Sequence, residues 1–207
     1  MIKADHTRFY TWLYEIYSSF LIKLVFRNIR LIGNSSASKN LPILMIANHF
    51  SWWDGFIQMR LNLCVFKKKF HFMMLEEEMV KSKILHKAGA CSVSKGSRGI
   101  LETLQHLVEV LKKPENSYLF FPQGGIESLY TYPYTFERGG LNYILKNVKN
   151  DFQFVFNVNL VDYSSHKRPE LSVYYKTYNL NNSTTAQQVE KDYNEFAHEC
   201  LIKQKGE

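Results

Sequence analysis

The segment IANHFSWWDGF, residues 46–56, brings a histidine and an aspartate to the end of an apolar run. His49 and Asp54 are five residues apart, and on one regular helix they would point about 140° away from each other, at roughly 100° per residue. A strand ending at His49, then a turn, then a helix whose first turn holds Asp54 removes that separation. Asp54 then accepts a hydrogen bond from one imidazole nitrogen, and the other nitrogen is left to take a proton from a hydroxyl or amine. That is general-base chemistry; the competing reading of the same pair is an ordinary hydrogen-bonded strand end. A His/Asp metal site lacks a third ligand at a useful spacing. Ser51 is not set in the GxSxG elbow of hydrolases and reads as a residue that bonds local backbone.

The elements that must position this pair follow from periodicity. NIRLIGN and LPILMIANH read as β segments around the polar loop NSSASKN, and the second delivers His49. GFIQMRLNL reads as a short helix, KFHFMML as a strand, EEEMVKSKILHKAG as helical and ACSVS as a short strand. The clearest period in the chain predicts a helix from about Ser97 to Lys113, with Ile100, Leu101, Leu104, Leu107, Val108 and Leu111 on one face, stopping before Pro114. SYLFFPQGG is an apolar strand ending in a Pro-Gln-Gly-Gly turn, ERGGLNYILKNV contains a helix, and FQFVFNVNL and ELSVYYKTYNL are strands. TTAQQVEKDYNEFAHECLIKQ is helical, with a capping box of Thr184 and Gln187 and an apolar face of Val189, Tyr193, Phe196 and Cys200. Strands alternating with helices predict an α/β fold with a mixed, mainly parallel sheet flanked by helices.

Composition narrows the partners. A chain of 207 residues with 45% hydrophobic content suits one domain spanning residues 1–207 and excludes a disordered or fibrous protein. The net charge of +7 favours an anionic partner. A nucleic-acid partner would rest on charge alone, because no recognisable binding motif accompanies it, so none is expected. Cys64, Cys91 and Cys200 are odd in number and form no CxxC pair, which speaks against a disulfide framework or a structural zinc site and fits a reducing cytoplasm. Cys91, on a strand, reads as a small buried residue rather than a nucleophile. No signal-peptide pattern is present at the N-terminus. The run at residues 9–26 is interrupted by Glu15 and Lys23, a poor membrane span.

The same run predicts an amphipathic helix within residues 1–32. Its apolar residues are Phe9, Trp12, Leu13, Tyr17, Phe20, Leu21 and Leu24, with Arg8, Lys23, Arg27 and Arg30 in reach of lipid phosphates. Either this helix lies in a membrane interface or it packs on the domain's own core, since periodicity does not say what an apolar face meets. Trp52 and Trp53 suit packing or interfacial anchoring.

NHFSWWD resembles the NHxxxxD signature of the glycerolipid acyltransferases, with Asn48, His49, Ser51 and Asp54 matching the common NHxSxxD form. GACSVSK (89–95) is similar to the second block of that family, GxxxxxR. FPQGGIES (121–128) is similar to the third, FPEGTRS, and FERGG (136–140) to the Phe-x-x-Gly-small segment that follows it. Order and spacing agree along roughly residues 25–165. There are departures: Lys95 stands where the second block has arginine, Gln123 replaces glutamate, and Gly125 and Ile126 replace threonine and arginine. Asn157 stands in FVFNV, where the fourth block carries a proline.

What the resemblance implies is direct acyl transfer, with His49 as general base and Asp54 orienting it. The co-substrate is acyl-CoA or acyl carrier protein, the acceptor is lipid-like, and neither a metal nor another cofactor is required. Substrate contacts fall to Asn48, Ser51, Lys95, Arg98, Phe121, Pro122, Gln123, Gly124, Gly125 and Arg138, the two arginines as anion contacts. Gly124 and Gly125 permit a tight turn whose backbone amides can meet a phosphate or an oxyanion. The setting is cytoplasmic, peripheral at the inner face of a membrane. Lysine does not reproduce the bidentate geometry of a guanidinium and isoleucine offers no donor, so a neutral or amine-bearing acceptor is expected over plain lysophosphatidate. The rival is a catalytically silent lipid-binding protein of the same fold, against which the intact His49/Asp54 pair argues.

Overall fold

The computed structural model describes the whole chain except residues 35, 83, 95, 150, 182 and 207. Among the described residues seven strands form one sheet: β1 (Asn28–Asn34), β2 (Ile43–Ala47), β3 (Lys69–Leu75), β4 (Ala90–Val93), β5 (Asn116–Phe120), β6 (Gln153–Asp162) and β7 (Glu170–Tyr178). Their order is β1-β7-β6-β2-β5-β3-β4. β6, β2, β5, β3 and β4 run parallel to one another, whereas β7 is antiparallel to β6 and carries β1 parallel to itself. This is the mixed, mainly parallel sheet that the alternation of strands and helices predicts. β2 is buried on both faces, as a central parallel strand must be, which is why its sequence, ILMIA, is apolar without alternation.

The two faces hold separate cores. Leu44 and Ile46 of β2, Tyr118 and Phe120 of β5 and Phe154, Phe156 and Val158 of β6 meet the helices α4 (Ser97–Val110), α5 (Arg138–Asn147) and α6 (Ala186–Lys205). Ile43, Met45 and Ala47 of β2, Leu119 of β5 and Val155 of β6 meet α1 (Arg8–Val25), α2 (Asp54–Leu61) and Met79 of α3 (Glu76–Lys81). The alternation of neighbouring residues between the two cores is the two-residue period of a strand.

α1 packs one face on the domain's own core and leaves the other exposed. Tyr14, Ser18 and Ile22, each four residues after the last, are buried, and Tyr14 packs against Phe56 and Phe72. Phe9, Trp12, Leu13, Ile16, Tyr17, Phe20 and Leu24 remain exposed. Of its basic neighbours, Arg27 pairs with Glu170 at 3.1 Å and Arg30 donates to Ser172 at 2.9 Å, so these two are engaged by β7 rather than held out for lipid. Ahead of α1 the chain runs along the open edge of β4: Ser92 N–H donates to Ile2 O at 2.9 Å, and Asp5 and Thr7 donate to His86 O and Lys87 O. A sheet edge is thereby covered.

Three local expectations are corrected. The segment 76–89 is not one helix; α3 ends at Lys81, Ser82 leaves helical geometry and a separate 3-10 turn covers Leu85–Ala88. With only Met79 of α3 buried, little packing holds a longer helix together. Ile100 and Leu101 of α4 are exposed, whereas Leu104, Leu107, Val108 and Leu111 are buried. The first turn of α4 begins shortly after β4 ends, at the rim of the sheet, where less apolar surface is there to meet. Finally, α6 is capped one residue later than expected, by Thr185, whose hydroxyl accepts from Gln188 N–H at 3.2 Å.

Candidate active site

The chain leaves β2 through α2 on one face of the sheet and leaves β5 through α5 on the other, returning to β6 on the far side of β2. Connections that diverge in this way open a crevice at the carboxyl ends of the strands. The register sets the ends level: Ile46 is paired with both Phe120 of β5 and Phe156 of β6. Asn48 and His49 therefore emerge beside Phe121, Pro122 and Gln123.

His49 Nδ1 lies 2.7 Å from Asp54 Oδ2. The same oxygen accepts the N–H groups of Phe50 at 2.7 Å and Ser51 at 2.9 Å, and Oδ1 accepts the Ser51 hydroxyl at 3.0 Å. Asp54 is fully buried, at 0% exposure, while the His49 side chain keeps 21%. An ionised carboxylate only accepts hydrogen bonds, so Nδ1 carries the proton and Nε2 presents its lone pair outward. Phe121 stacks on the imidazole, with ring centroids 4.0 Å apart and planes 10° from parallel. The ring is fixed in tautomer, tilt and rotation. Ser51 also accepts the Trp53 N–H at 3.1 Å, so its hydroxyl is engaged in holding the turn.

The turn after β5 clamps the His49 backbone. Gln123 Oε1 accepts the His49 N–H at 2.7 Å, and the His49 carbonyl accepts the Glu127 N–H at 2.9 Å. Gly124 has φ +75°, which favours glycine, and a Cβ there would also stand 2.9 Å from the Glu137 side chain. Glu137 N–H donates to Pro122 O at 2.7 Å, tying the FERGG segment to the FPQGG turn. Gly125 is exposed, with nothing within 4 Å of its Cβ position.

Beneath this surface lies a buried polar floor. Asn48 Nδ2 donates to Asn159 O at 3.0 Å and to the Tyr134 hydroxyl at 3.3 Å, and Asn48 Oδ1 accepts the Asn159 N–H at 2.8 Å. Gln58 of α2 donates to both Asn157 and Asn159, and Asn157 donates to Tyr174 O while its own carbonyl accepts the Tyr193 hydroxyl. Burial pushes the Tyr134 phenol up to about 12. Burial likewise raises Tyr193 well above its usual value, so both hydroxyls keep their protons.

Of the remaining expected contacts, the two arginines are engaged with acidic neighbours. Arg98 is 94% exposed and reaches Glu102 on its own helix at 3.4 Å, and Arg138 pairs with Glu190 of α6 at 2.8 Å. Neither is hydrogen-bonded to the residues around His49. Lys95 lies outside the described residues. Cys91 is buried, shares a 2.8 Å hydrogen bond with the Tyr118 hydroxyl, and burial pushes its thiol up to about 11, so it offers no thiolate. Among the described residues no group of three His, Cys, Asp or Glu side chains converges to hold a metal. Tyr134, Gln58, Asn159 and Glu127 escaped the sequence reading. Asn157 and Asn159, polar at alternate positions of an otherwise apolar strand, were the visible sign of the floor.

A sequence search of curated proteins returns no match. Among solved structures the chain is similar to the 1-acyl-sn-glycerophosphate (LPA) acyltransferase PlsC of Thermotoga maritima, with a TM-score of 0.60 and 16% identity over 93% of this chain and 78% of that one. That likeness bears on the fold. The family model named Acyltransferase matches residues 28–155, from β1 into β6, a span that contains His49, Asp54 and the FPQGG turn. With more than half of its length matched, the chain belongs to the acyltransferase family.

Proposed function

We propose that the protein transfers a fatty acyl group from a thioester, acyl-CoA or acyl carrier protein, to a hydroxyl of a lipid-like acceptor at a membrane surface. The observation that carries this reading is the buried, fully hydrogen-bonded Asp54 fixing His49 through Nδ1 while the His49 side chain stays 21% exposed. In the reaction Nε2 takes the acceptor's hydroxyl proton as its oxygen attacks the thioester carbonyl. Asp54 balances the imidazolium that forms. The tetrahedral intermediate collapses with cleavage of the C–S bond, and the proton on Nε2 passes to the departing sulfur, so that an ester and a thiol leave and His49 is restored. Exposed backbone around Gly124 and Gly125 suits stabilisation of the oxyanion or binding of a donor phosphate.

The likeness to PlsC, a protein named for 1-acyl-sn-glycerophosphate, supports a lipid acceptor that carries one chain. Peripheral binding at the inner face of a membrane fits three further facts. Among the described residues no helix is long and apolar enough to cross a bilayer, the three cysteines are free, and the exposed apolar face of α1 accompanies a net charge of +7. The test is incubation of purified protein with radiolabelled palmitoyl-CoA or palmitoyl acyl carrier protein and a panel of one-chain lipids. Label should appear in a two-chain product with at least one pair; release of free fatty acid alone would mean a hydrolase instead.

A further inference from the structure

The turn after β5 holds a carboxylate that the proposed reaction does not use. Gln123 Nε2 donates to Glu127 Oε2 at 2.5 Å while Gln123 Oε1 accepts the His49 N–H, and the Glu127 N–H itself donates to the His49 carbonyl. Glu127 is thus tied to the backbone of His49 from both sides. Its side chain is partly buried, and among the described residues it has no ion-pair partner and no hydrogen bond at Oε1. The preceding Ile126 is 59% exposed and offers no donor, and Arg98 and Arg138 are already engaged with Glu102 and Glu190. The charge of Glu127 also reaches the Tyr134 phenol under Asn48, adding to the larger effect of burial there.

Resting on the acyl-transfer reading, we propose that Glu127 is a specificity-determining residue that selects an acceptor whose head carries an ammonium group beside the reacting hydroxyl, against one that carries a phosphate monoester. A fixed carboxylate with an open oxygen gives an ammonium a charge-assisted hydrogen bond. The same carboxylate repels a phosphate, and repulsion of the wrong partner is itself a source of specificity.

The experiment compares kcat/KM of the purified full-length protein for a long-chain amino alcohol and for lysophosphatidate, with palmitoyl-CoA and palmitoyl acyl carrier protein each tried as donor. The wild type should favour the amino alcohol at least tenfold. Glu127→Gln, which still accepts from Gln123 but lacks the charge, should cut that ratio at least tenfold, and Glu127→Asp, which keeps the charge, should retain most of the preference. A ratio unchanged in Glu127→Gln, with both acceptors slowed alike, would mean that Glu127 only supports the turn and would overturn the proposal. So would a wild-type preference for lysophosphatidate. If the wild type acylates no acceptor with either donor, the acyl-transfer reading itself fails and takes this inference with it.

Discussion

At the scale of the residue, the account turns on Asp54 acting only as an acceptor. Four donors converge on its two oxygens, and an amide in its place keeps one acceptor oxygen but loses the negative charge that balances an imidazolium. Asp54→Asn is therefore expected to lower turnover by roughly 10²–10⁴-fold, the span of general-base contributions. Ser51→Ala, which removes a single hydroxyl donor, should cost far less. Steady-state kinetics on both variants check the order, and a Ser51→Ala loss as large as that of Asp54→Asn would contradict it. His49 and Asp54 were legible in the sequence because a short motif carries both. Gln123 stood out as a departure, yet its clamp on the His49 N–H was hidden, since β2 and β5 are neighbours only in the folded sheet.

Elements record where periodicity sufficed and where it did not. Each strand could be read from an apolar run, but not the order that places β2 between β5 and β6, because that depends on pairings far apart in sequence. The capping position of α6 differs by one residue because Thr184 and Thr185 are adjacent and only backbone geometry distinguishes them. Thr185→Ala should destabilise the protein by about 1 kcal/mol, the usual worth of an N-cap. Equal stability of that variant and wild type in urea denaturation would contradict the assignment.

The N-terminal strap and β3 enclose a second feature that no pattern announced. His6 and His71 meet with ring centroids 4.5 Å apart, His71 buried and His6 partly so. Burial, with Lys69 adding to it, pushes His6 down to about 4; burial, aided by His6, pushes His71 down to about 3. Below pH 6.5 the unfolded chain takes up protons that the folded chain refuses, so stability is full above that pH and falls toward pH 3–4. For His71 alone the loss by pH 5 is about 2 kcal/mol, at about 1.4 kcal/mol per pH unit. His71→Phe should flatten the decline in urea midpoint between pH 7.5 and pH 5, and an unaltered decline would show that other groups govern it.

On the scale of the whole molecule, the exposed face of α1 is a feature that the protein's own packing leaves unexplained. Trp12 and Phe20 are 55% and 59% exposed. Full burial of a large apolar side chain is worth about 1.5–3 kcal/mol, and a little over half of each remains to be buried, so replacing both with serine should weaken binding to anionic vesicles roughly 20- to 300-fold. Added salt should weaken binding of the wild type as its positive charges are screened. Co-sedimentation of the double variant at the wild-type level would instead assign that face another role. In the proposed reaction His49 removes the acceptor's proton. The most direct measurement of that step is single-turnover acyl transfer by His49→Ala, with circular dichroism recording that the fold is retained, on whichever donor and acceptor the wild type uses. The account predicts loss of transfer by at least 10²-fold with the fold intact; transfer at the wild-type rate by a folded His49→Ala protein would contradict it.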